Sequence, residues 1–532
     1  MLGSMFFQVM MAGYDVSNVA NIQAALYDDF GKINLLPLVA HGFSGASAAT
    51  APISRRLTHI IDSKILMLAM GVLFMVGGIV SATAHSMETI VVGRFIQGIS
   101  GGPITQLNFA YISHTSGPYT AQVTGLMGMS WSIGLILGPI VGGAFAQNAT
   151  WRWAFGIVPI IYALTIPFTV LGYPSNIGRD LSKGSVRMEL RSFDNIGSIL
   201  HMASIILLFI AFSYSGTTFA WKSGSSITLF VVWGVTFTAY LVQQATCIRT
   251  RPERRILPIT LLKQRTAGLV FLCTVCISMA YAGMLYYLPL LYAFTRNLSP
   301  IHSAEKVLPF IATVVFGAIF TGTVLPKVQR YAPFYVVGNV LVLLGSVLIA
   351  ARTTPSTPIG HVIGLSVMAG LGIRMLMQHG QRVLSAALAP SWFSDVSTIR
   401  IMGQSLGTSL GLAMMGCLYQ NKGYALLREA ISSGVSEQDI RETLAGLKSS
   451  VSASSDAQQR ALIVQAVTKA ITLTLYVVVA AAAVGLVGAL ALKHEKLDFQ
   501  KGQKENAGAE TGAETETSDS GETGEKTNTA SV

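Results

Sequence analysis

Polar side chains recur along one apolar segment of the chain, residues 89–113. Arg94, Gln97, Thr105 and Asn108 follow spacings that place them on one face of an α-helix. Such a face is costly against lipid, so we expect it to line a water-filled cavity or the interior of a helix bundle. For Arg94 alone, snorkelling to the membrane interface is the alternative, but the stripe continues along the helix. It therefore predicts a binding site or pathway for a polar or amphipathic molecule.

A second charged group, Asp15, interrupts the first apolar segment. A carboxylate at such a position must be paired, protonated or solvated. It could be the structural partner of a cation, or it could load and release protons, because burial favours its protonated form. His41, in the second apolar segment, is a further candidate for a cavity wall, although simple packing explains it better. Because no Lys or Arg precedes Lys32, the first segment is not expected to be a cleaved signal peptide.

The elements that hold these residues are predicted from composition. Of 532 residues, 51% are hydrophobic and 11% are charged, whereas a soluble domain has about 25% charged residues. A mean hydropathy of +0.55 therefore excludes a soluble globule, and four cysteines exclude a disulfide scaffold. Membrane-crossing helices need about 20 apolar residues. Fourteen segments approach that length, namely 1–20, 33–54, 65–83, 89–113, 121–147, 152–172, 195–215, 225–245, 266–292, 304–325, 334–351, 358–378, 397–420 and 471–492.

Basic residues predict the orientation of these spans. With a cytoplasmic amino terminus, the inner connections hold sixteen Lys and Arg residues and the short outer connections hold six, which agrees with the positive-inside rule. The net charge of +11 is thus explained by membrane topology, and no nucleic-acid partner is expected. Asn148 and Asn297, in two Asn-x-Ser/Thr sequons, fall on the outer side and are candidate glycosylation sites, although chance explains either sequon alone.

Glycines recur every four positions in two predicted spans. They are Gly134, Gly138, Gly142 and Gly143 in the fifth span and Gly403, Gly407 and Gly411 in the thirteenth. This predicts two copies of a six-helix unit, 1–172 and 266–492, separated at 173–265 by basic cytoplasmic loops and an inserted helix pair. Small faces let helices approach closely, although generic packing would explain one such motif alone. Within the second unit we expect an outer loop, 421–470, with a small helical cap, and the acidic tail 493–532 should be disordered in the cytoplasm.

Together these motifs resemble the fourteen-span drug:proton antiporters of the major facilitator superfamily, especially fungal efflux pumps, over residues 15–492. The matching segments are VGRFIQG at 92–98, the fifth-span antiporter motif from Gly134 through Gly138-Pro139 to Gly142-Gly143, WRWAF at 151–155, YYLP at 286–289 and NLSP at 297–300. The resemblance implies an all-α polytopic membrane protein with the major facilitator fold, built from two six-helix bundles and an inserted pair. It also implies that Asp15 and Arg94 take part in proton coupling.

The loop at 55–64 departs from the pattern of that family. The family usually has Gly-Lys-Leu-Ser-Asp-x-x-Gly-Arg-Lys between its second and third spans, whereas this chain has Arg-Arg-Leu-Thr-His-Ile-Ile-Asp-Ser-Lys. Both glycines, the aspartate and the arginine of the pattern are replaced. We therefore expect the cytoplasmic side to gate differently, or the coupling to be weakened.

The sequence thus predicts a secondary transporter that exports a small organic molecule, such as a drug, toxin or secondary metabolite, in exchange for protons. The substrate is expected to contact Gln97, Thr105 and Asn108, with Trp131 as an aromatic contact. Proton-driven uptake, for instance of an iron chelate, and a nutrient receptor on the same fold remain alternatives.

The sequence contains no Walker A, HExxH or nucleophile-elbow motif. We therefore expect no enzyme activity, catalytic residue, cofactor or metal. The expected partners are the lipid bilayer, the substrate and protons. We expect a monomer in the plasma membrane, with the vacuolar membrane as the alternative.

Overall fold

A computed structural model describes nine ranges of the chain. They are residues 1–32, 35–116, 120–175, 193–251, 254–377, 379–389, 392–431, 435–445 and 456–497. Most of the acidic tail and most of the basic loop that follows the first unit lie outside the described residues.

Each predicted apolar segment coincides with one long helix. In the first part of the chain these are α1 (Leu2–Phe30), α2 (Leu36–Ile60), α3 (Ser63–Ala82), α4 (Met87–Thr115), α5 (Thr120–Asn148), α6 (Arg152–Gly172), α7 (Asn195–Tyr214) and α8 (Gly224–Thr246). After the short α9 (Ile259–Leu262) come α10 (Arg265–Arg296), α11 (Pro300–Val328), α12 (Ala332–Arg352), α13 (Ile359–Met377), α14 (His379–Ala387), α15 (Phe393–Ala430), α16 (Glu437–Ala445) and α17 (Ala457–Leu490).

Eleven helical stretches in the described residues are long and apolar enough to cross a membrane. The remaining long helices, α1, α2 and α4, are more polar, and most of their polar side chains are buried inside the protein. Large apolar residues instead cover the outer surface, for example Leu171, which is 85% exposed, and Val487, which is 69% exposed. This inverted distribution is what lipid as a solvent requires. A total of fourteen membrane-crossing helices stays a prediction.

Several helices extend beyond the predicted apolar segments, because hydropathy marks only the apolar part of a helix. α15 runs to Ala430, past the predicted bound at 420, and α17 begins at Ala457, ahead of the predicted bound at 471. Much of the region 421–470 is therefore helical, and its place outside the membrane stays a prediction. It contains the expected helical cap as α16, whose start is fixed by the Ser436 hydroxyl, which accepts a hydrogen bond from the Asp439 N–H at 3.1 Å.

The same packing order is found in two units. In the first, α1 packs on α5 and α6, α3 packs on α4 and α6, and α2 packs on α4. In the second, α10 packs on α15 and α17, α12 on α13 and α17, and α11 on α13. The units meet through α2 against α15 and α5 against α11, which are equivalent pairs under the repeat. We call these units the N-terminal and C-terminal halves.

The helices α7 and α8 form a pair outside both halves. They pack on each other, and α7 also contacts α2 and α15, so the pair lies beside one of the two contacts between the halves. Asp194 caps α7 by accepting the Gly197 N–H at 2.9 Å and also accepts hydrogen bonds from Gln243 and Gln244 at 2.9 and 2.8 Å. These bonds satisfy a buried carboxylate and tie the two helices together.

Candidate functional site

Asp15 and Arg94, which the sequence singled out separately, form a buried ion pair. Their side chains are 0% and 1% exposed, and Nη1 of Arg94 lies 2.5 Å from Oδ2 of Asp15. The guanidinium also donates to Oε1 of Gln97 at 3.1 Å and to the carbonyl of Val39 at 3.3 Å. The other oxygen of Asp15, Oδ1, is buried without a hydrogen-bond partner among the described residues. The pair therefore links α1 to α4 and keeps one acceptor unused.

Two further hydrogen bonds fix α1 on either side of this carboxylate. The hydroxyl of Tyr14 and Nδ2 of Asn18 both donate to the carbonyl of Ala154 in α6, at 3.1 and 2.9 Å. Since these residues flank Asp15 in the sequence, the bonds set the rotation of α1 and hold the carboxylate toward α4.

The glycines of the fifth span let α5 lie directly against α1. A Cβ atom at Gly134 would overlap the carbonyl oxygen of Met10, and one at Gly138 would overlap Oγ of Ser17. At Gly142 it would lie 3.0 Å from Cβ of Asn18. The other members of the predicted motif, Pro139 and Gly143, are buried in the same helix. The motif thus positions the segment of α1 that carries Asp15.

A small cavity lies between the two halves beside the ion pair. From the N-terminal half it is lined by Ser17, Phe43, Ser44 and Arg94, and from the C-terminal half by Tyr281, Tyr286, Thr408 and Leu412, among others. The tyrosines were not predicted as site residues, although Tyr286 belongs to a motif that carried the family resemblance. The cavity places apolar and aromatic surface next to a charge, a combination that suits an amphipathic molecule.

The rest of the predicted polar stripe does not reach this cavity. Gln97 turns toward α3, where its side chain packs against Gly77. Thr105 bonds to the carbonyl of Gly101 in its own helix at 2.9 Å. Asn108 is fully buried, and neither atom of its amide has a hydrogen-bond partner among the residues that the structure describes. The polar residues of the stripe thus have different neighbours, because α4 packs on α2 and α3 as well as facing the cavity.

The two predicted ring residues have different surroundings. His41 does not line this cavity, and its ring lies 5.3 Å from that of Phe209 while its Nε2 lies 3.3 Å from Oγ of Ser213, both on α7. The sequence could not show that the inserted helix covers this face of α2. Trp131 approaches Tyr281 of the C-terminal half, so it contacts one of the residues that line the cavity.

The predicted cytoplasmic ends of the halves are joined by an ion pair at the divergent loop. Arg55 of α2 binds Asp395 of α15 through Nη1, and the two side chains are 10% and 17% exposed. The other terminal nitrogen of Arg55, Nη2, donates to the carbonyls of Arg255 and Ile256 at 2.9 and 3.2 Å. Arg55 stands where the family pattern has its first glycine. This replacement therefore adds an ion pair between the halves.

Side chains deeper in the protein reinforce this inner contact. Nε2 of Gln106 donates to the hydroxyl of Thr398 across the halves at 2.9 Å, while Oε1 of Gln106 accepts from the hydroxyl of Ser54 at 2.6 Å. The guanidinium of Arg400 lies over the ring of Phe109, 4.6 Å from its centroid. Helices α2 and α4 are thereby both joined to α15 at this end.

Contacts also join the halves near the opposite end, which is predicted to be the outer one. The hydroxyl of Tyr286 donates to Oε1 of Gln23, and Pro37 of α2 packs against Gly416 of α15. The cavity is therefore bounded by contacts between the halves on both sides.

The remaining predicted residues lie apart from this site. Asn148 ends α5 and Asn297 follows α10, and both are exposed, so glycosylation stays a prediction. Cys273 and Cys276 are buried free thiols. Within the described ranges no cluster of His, Cys, Asp and Glu could hold a metal ion.

Comparison with known proteins decides the family. The model of the Major Facilitator Superfamily matches residues 5–412. The chain belongs to the major facilitator superfamily. It is thus a membrane transporter whose surroundings are the lipid bilayer and whose cargo is a small molecule.

Named relatives of this major facilitator protein are fungal. It is 28% identical over 514 residues to a phomenoic acid biosynthesis cluster MFS-type transporter of Leptosphaeria maculans, covering 93% of this chain and 81% of the relative. It is 30% identical over 453 residues to the MFS-type transporter patC of Penicillium expansum, covering 84% and 82%. The efflux pump alnA of Emericella nidulans is 27% identical over 504 residues, covering 93% and 90%.

Solved structures of the superfamily share the fold. A bacterial homologue of the human lysosomal transporter Spinster, inward-facing and unoccupied, aligns with a TM-score of 0.61 at 14% identity, covering 92% of this chain and 96% of that one. A D-xylose–proton symporter aligns with a TM-score of 0.58 at 12% identity, covering 94% and 98%. At these identities the likeness shows the fold alone.

Proposed function

We propose that this transporter exports a small amphipathic organic molecule in exchange for protons, by alternating access. The observation that carries the proposal is the buried Asp15–Arg94 pair, whose arginine lines the cavity between the halves. Relatives named as efflux pumps support export, and the substrate class we propose is a toxin, drug or secondary metabolite.

Proton coupling follows from what protonation would do to this pair. A proton on Asp15 removes the charge that compensates Arg94, which then needs another anion, water or a dipole as partner. The unused Oδ1 of Asp15 offers a place for that proton. A proton on Asp15 and a substrate that binds the intact ion pair would thus exclude each other, and mutual exclusion of this kind is a basis for exchange.

Alternating access would use the contacts at the two ends of the cavity in turn. Opening the inner end separates Arg55 from Asp395, whereas opening the outer end separates Tyr286 from Gln23. Because the halves meet through two equivalent helix pairs, they can rock about the cavity as rigid bodies. The close packing of α1 on α5, and of α10 on α15, keeps each half intact during this motion.

The finer assignments belong to the same proposal. We propose a monomer without enzyme activity, because each half already contributes to one central site. We place it in the plasma membrane, where export removes a toxic product from the cell, with the vacuolar membrane as the alternative.

The first test is mass spectrometry of medium and cells from the native host, with and without the gene. Export predicts a compound that accumulates inside and disappears from the medium upon deletion. The opposite redistribution would identify an importer, for instance of an iron chelate, and overturn export. A receptor predicts no redistribution, together with lost signalling output when residues 494–532 are deleted.

A further inference from the structure

The C-terminal half contains a buried arginine that forms no ion pair with any described residue. Arg374 of α13 is 1% exposed, and its Nε and Nη2 have no hydrogen-bond partner among the described residues. It packs beside Gly317 of α11 and is close enough to Tyr281 of α10 for an electrostatic interaction. Tyr281 also approaches Trp131 of the N-terminal half and lines the central cavity.

Two further basic residues surround Arg374. Arg400 of α15 is 9% exposed and close enough to Arg374 for their charges to repel. Its Nη1 donates to Oε1 of Gln404 at 3.3 Å, and its guanidinium covers Phe109 of the N-terminal half. His379 of α14 is 3% exposed, and neither of its ring nitrogens has a hydrogen-bond partner in the part of the chain that the structure covers.

This arrangement contrasts with the other buried arginines. Arg94 and Arg55 each have a carboxylate partner, whereas no ion pair within the described ranges involves Arg374 or Arg400. A buried charge without a partner is strongly unfavourable in a membrane interior, and such groups mark substrate or ion pathways. Because no described residue neutralises Arg374, a bound ligand is expected to supply the negative charge.

We propose that Arg374 and Arg400 bind the carboxylate of the transported molecule, which makes the substrate an amphipathic organic acid. This inference rests on the proposed function and names its substrate class. The two arginines do not line the cavity described above, but Tyr281, which does, is a neighbour of Arg374. Guanidinium groups match carboxylates in shape and charge, so the free Nε and Nη2 of Arg374 offer a bidentate contact. The apolar body of the substrate would lie along Phe43 and Leu412 in the cavity. Tyr281 would lie between that body and the bound carboxylate.

The position of Arg400 suits a cargo that enters from the cytoplasm. It lies at the inner contact between the halves, where it stacks on Phe109. When that contact opens, the guanidinium is uncovered and can attract an anion before Arg374 receives it. A negative interior potential also favours outward movement of an anion.

The first experiment measures thermal unfolding of the purified full-length protein without ligand. We expect Arg374→Met to raise the unfolding midpoint or leave it unchanged, because the variant removes an uncompensated charge. Arg94→Met should lower the midpoint, because it strands Asp15. If Arg374→Met lowers the midpoint as much as Arg94→Met does, Arg374 has a structural partner and the proposal is overturned.

The second experiment measures binding by equilibrium dialysis with radiolabelled naphthalene-2-carboxylate and its neutral analogue naphthalene-2-carboxamide. We expect the wild type to prefer the carboxylate by about tenfold, and Arg374→Gln and Arg400→Gln each to abolish that preference. Arg352→Gln, which removes an exposed arginine at the other end of the C-terminal half, is the matched control and should keep it. No preference in the wild type, or an unchanged preference in both Arg374→Gln and Arg400→Gln, would overturn the proposal.

A third measurement distinguishes an organic acid from an inorganic anion. The dialysis is repeated in gluconate buffer with millimolar chloride or phosphate added. If either ion displaces the carboxylate probe completely from wild type, the cluster holds an inorganic anion and the proposal fails. Export of a neutral compound in the gene-deletion experiment would also refute this inference while leaving the proposed function intact.

Discussion

The Asp15–Arg94 pair places two full charges where neither is exposed to solvent. Such a pair contributes little net stability, because the attraction has to offset the desolvation of both groups. Removing one partner is costly, however, because the other is left buried and unpaired. The stability of the protein therefore does not explain why the pair is present. A change in the charge of the pair during transport would explain it.

At the scale of the residue, we predict that either single neutralisation destabilises the protein and that the double variant recovers. Asp15→Asn or Arg94→Gln should each lower the free energy of unfolding by about 3 kcal/mol. Asp15→Asn/Arg94→Gln should regain most of that loss, because no charge is then left unpaired. All three variants should lose proton-driven transport in proteoliposomes. Thermal unfolding and transport of the detected substrate are the measurements.

The exposed pair of Lys32 and Glu88 is the control for this prediction. Its side chains are 51% and 53% exposed, so Lys32→Gln should cost less than about 1 kcal/mol and leave transport unchanged. Proton-driven transport by the double variant at the wild-type rate would contradict a coupling role for Asp15 and Arg94.

At the scale of the element, the close contact between α1 and α5 determines where Asp15 lies. Backbone atoms of α1 occupy the space that a side chain at Gly134 would need. The C-terminal half repeats this contact, since a Cβ at Gly407 of α15 would overlap the carbonyl oxygen of Val275 in α10. A difference of one methyl group at these glycines is thus enough to separate the helices.

We predict that Gly134→Ala lowers the free energy of unfolding by about 3 kcal/mol, because the new methyl group meets a backbone oxygen that cannot rotate away. Transport should fall with it, as α1 and its carboxylate shift. The matched control is Gly125→Ala in the same helix, where no atom lies within 4 Å of the added Cβ. That control should be neutral or stabilise α5 by up to about 1 kcal/mol. Equal midpoints of thermal unfolding for the two variants would refute the steric argument.

The sequence predicted the elements well and the directions of individual side chains less well. Apolar length predicted each long helix, and glycine spacing predicted that the fifth span approaches another helix closely, because both depend on local composition. The partner of that span, α1, was not predicted. The direction of His41 and the split of the stripe at Gln97 depend on which helices surround α2 and α4. Arg374 was not predicted as a site residue, because nothing near it in the sequence shows that it has no ion-pair partner among the described residues.

At the scale of the whole molecule, the two halves are held at both ends of the cavity by different chemistry. The inner end has an ion pair and a hydrogen-bonded chain, while the outer end has Tyr286 with Gln23 and apolar packing. An ion pair can be separated by water that enters as the halves part, so its strength sets how often the inner end opens. Arg55 and Asp395 therefore bias the balance between the conformations.

We predict that Asp395→Asn shifts the protein toward an inward-open state. The variant leaves the guanidinium of Arg55 without its carboxylate, and a loss of about 2 kcal/mol from the closed state would shift the populations by roughly 30-fold. Spin labels at Ile65→Cys and Val328→Cys report the separation of the inner ends of α3 and α11, where the native side chains are 63% and 44% exposed. The four native cysteines are replaced beforehand, and pulsed electron resonance measures the distance distribution.

The charge-matched control for this shift is Glu88→Gln, which breaks the exposed pair with Lys32 at the opposite end and should leave the inner distances unchanged. Arg55→Gln should lengthen them as Asp395→Asn does, because either variant removes the same attraction. An unchanged distribution in both inner variants would mean that the Gln106–Thr398 contact suffices to hold this end. In that case the Arg55–Asp395 pair would not be what keeps the inner end closed. The gating of this transporter would depend on polar contacts within the membrane instead.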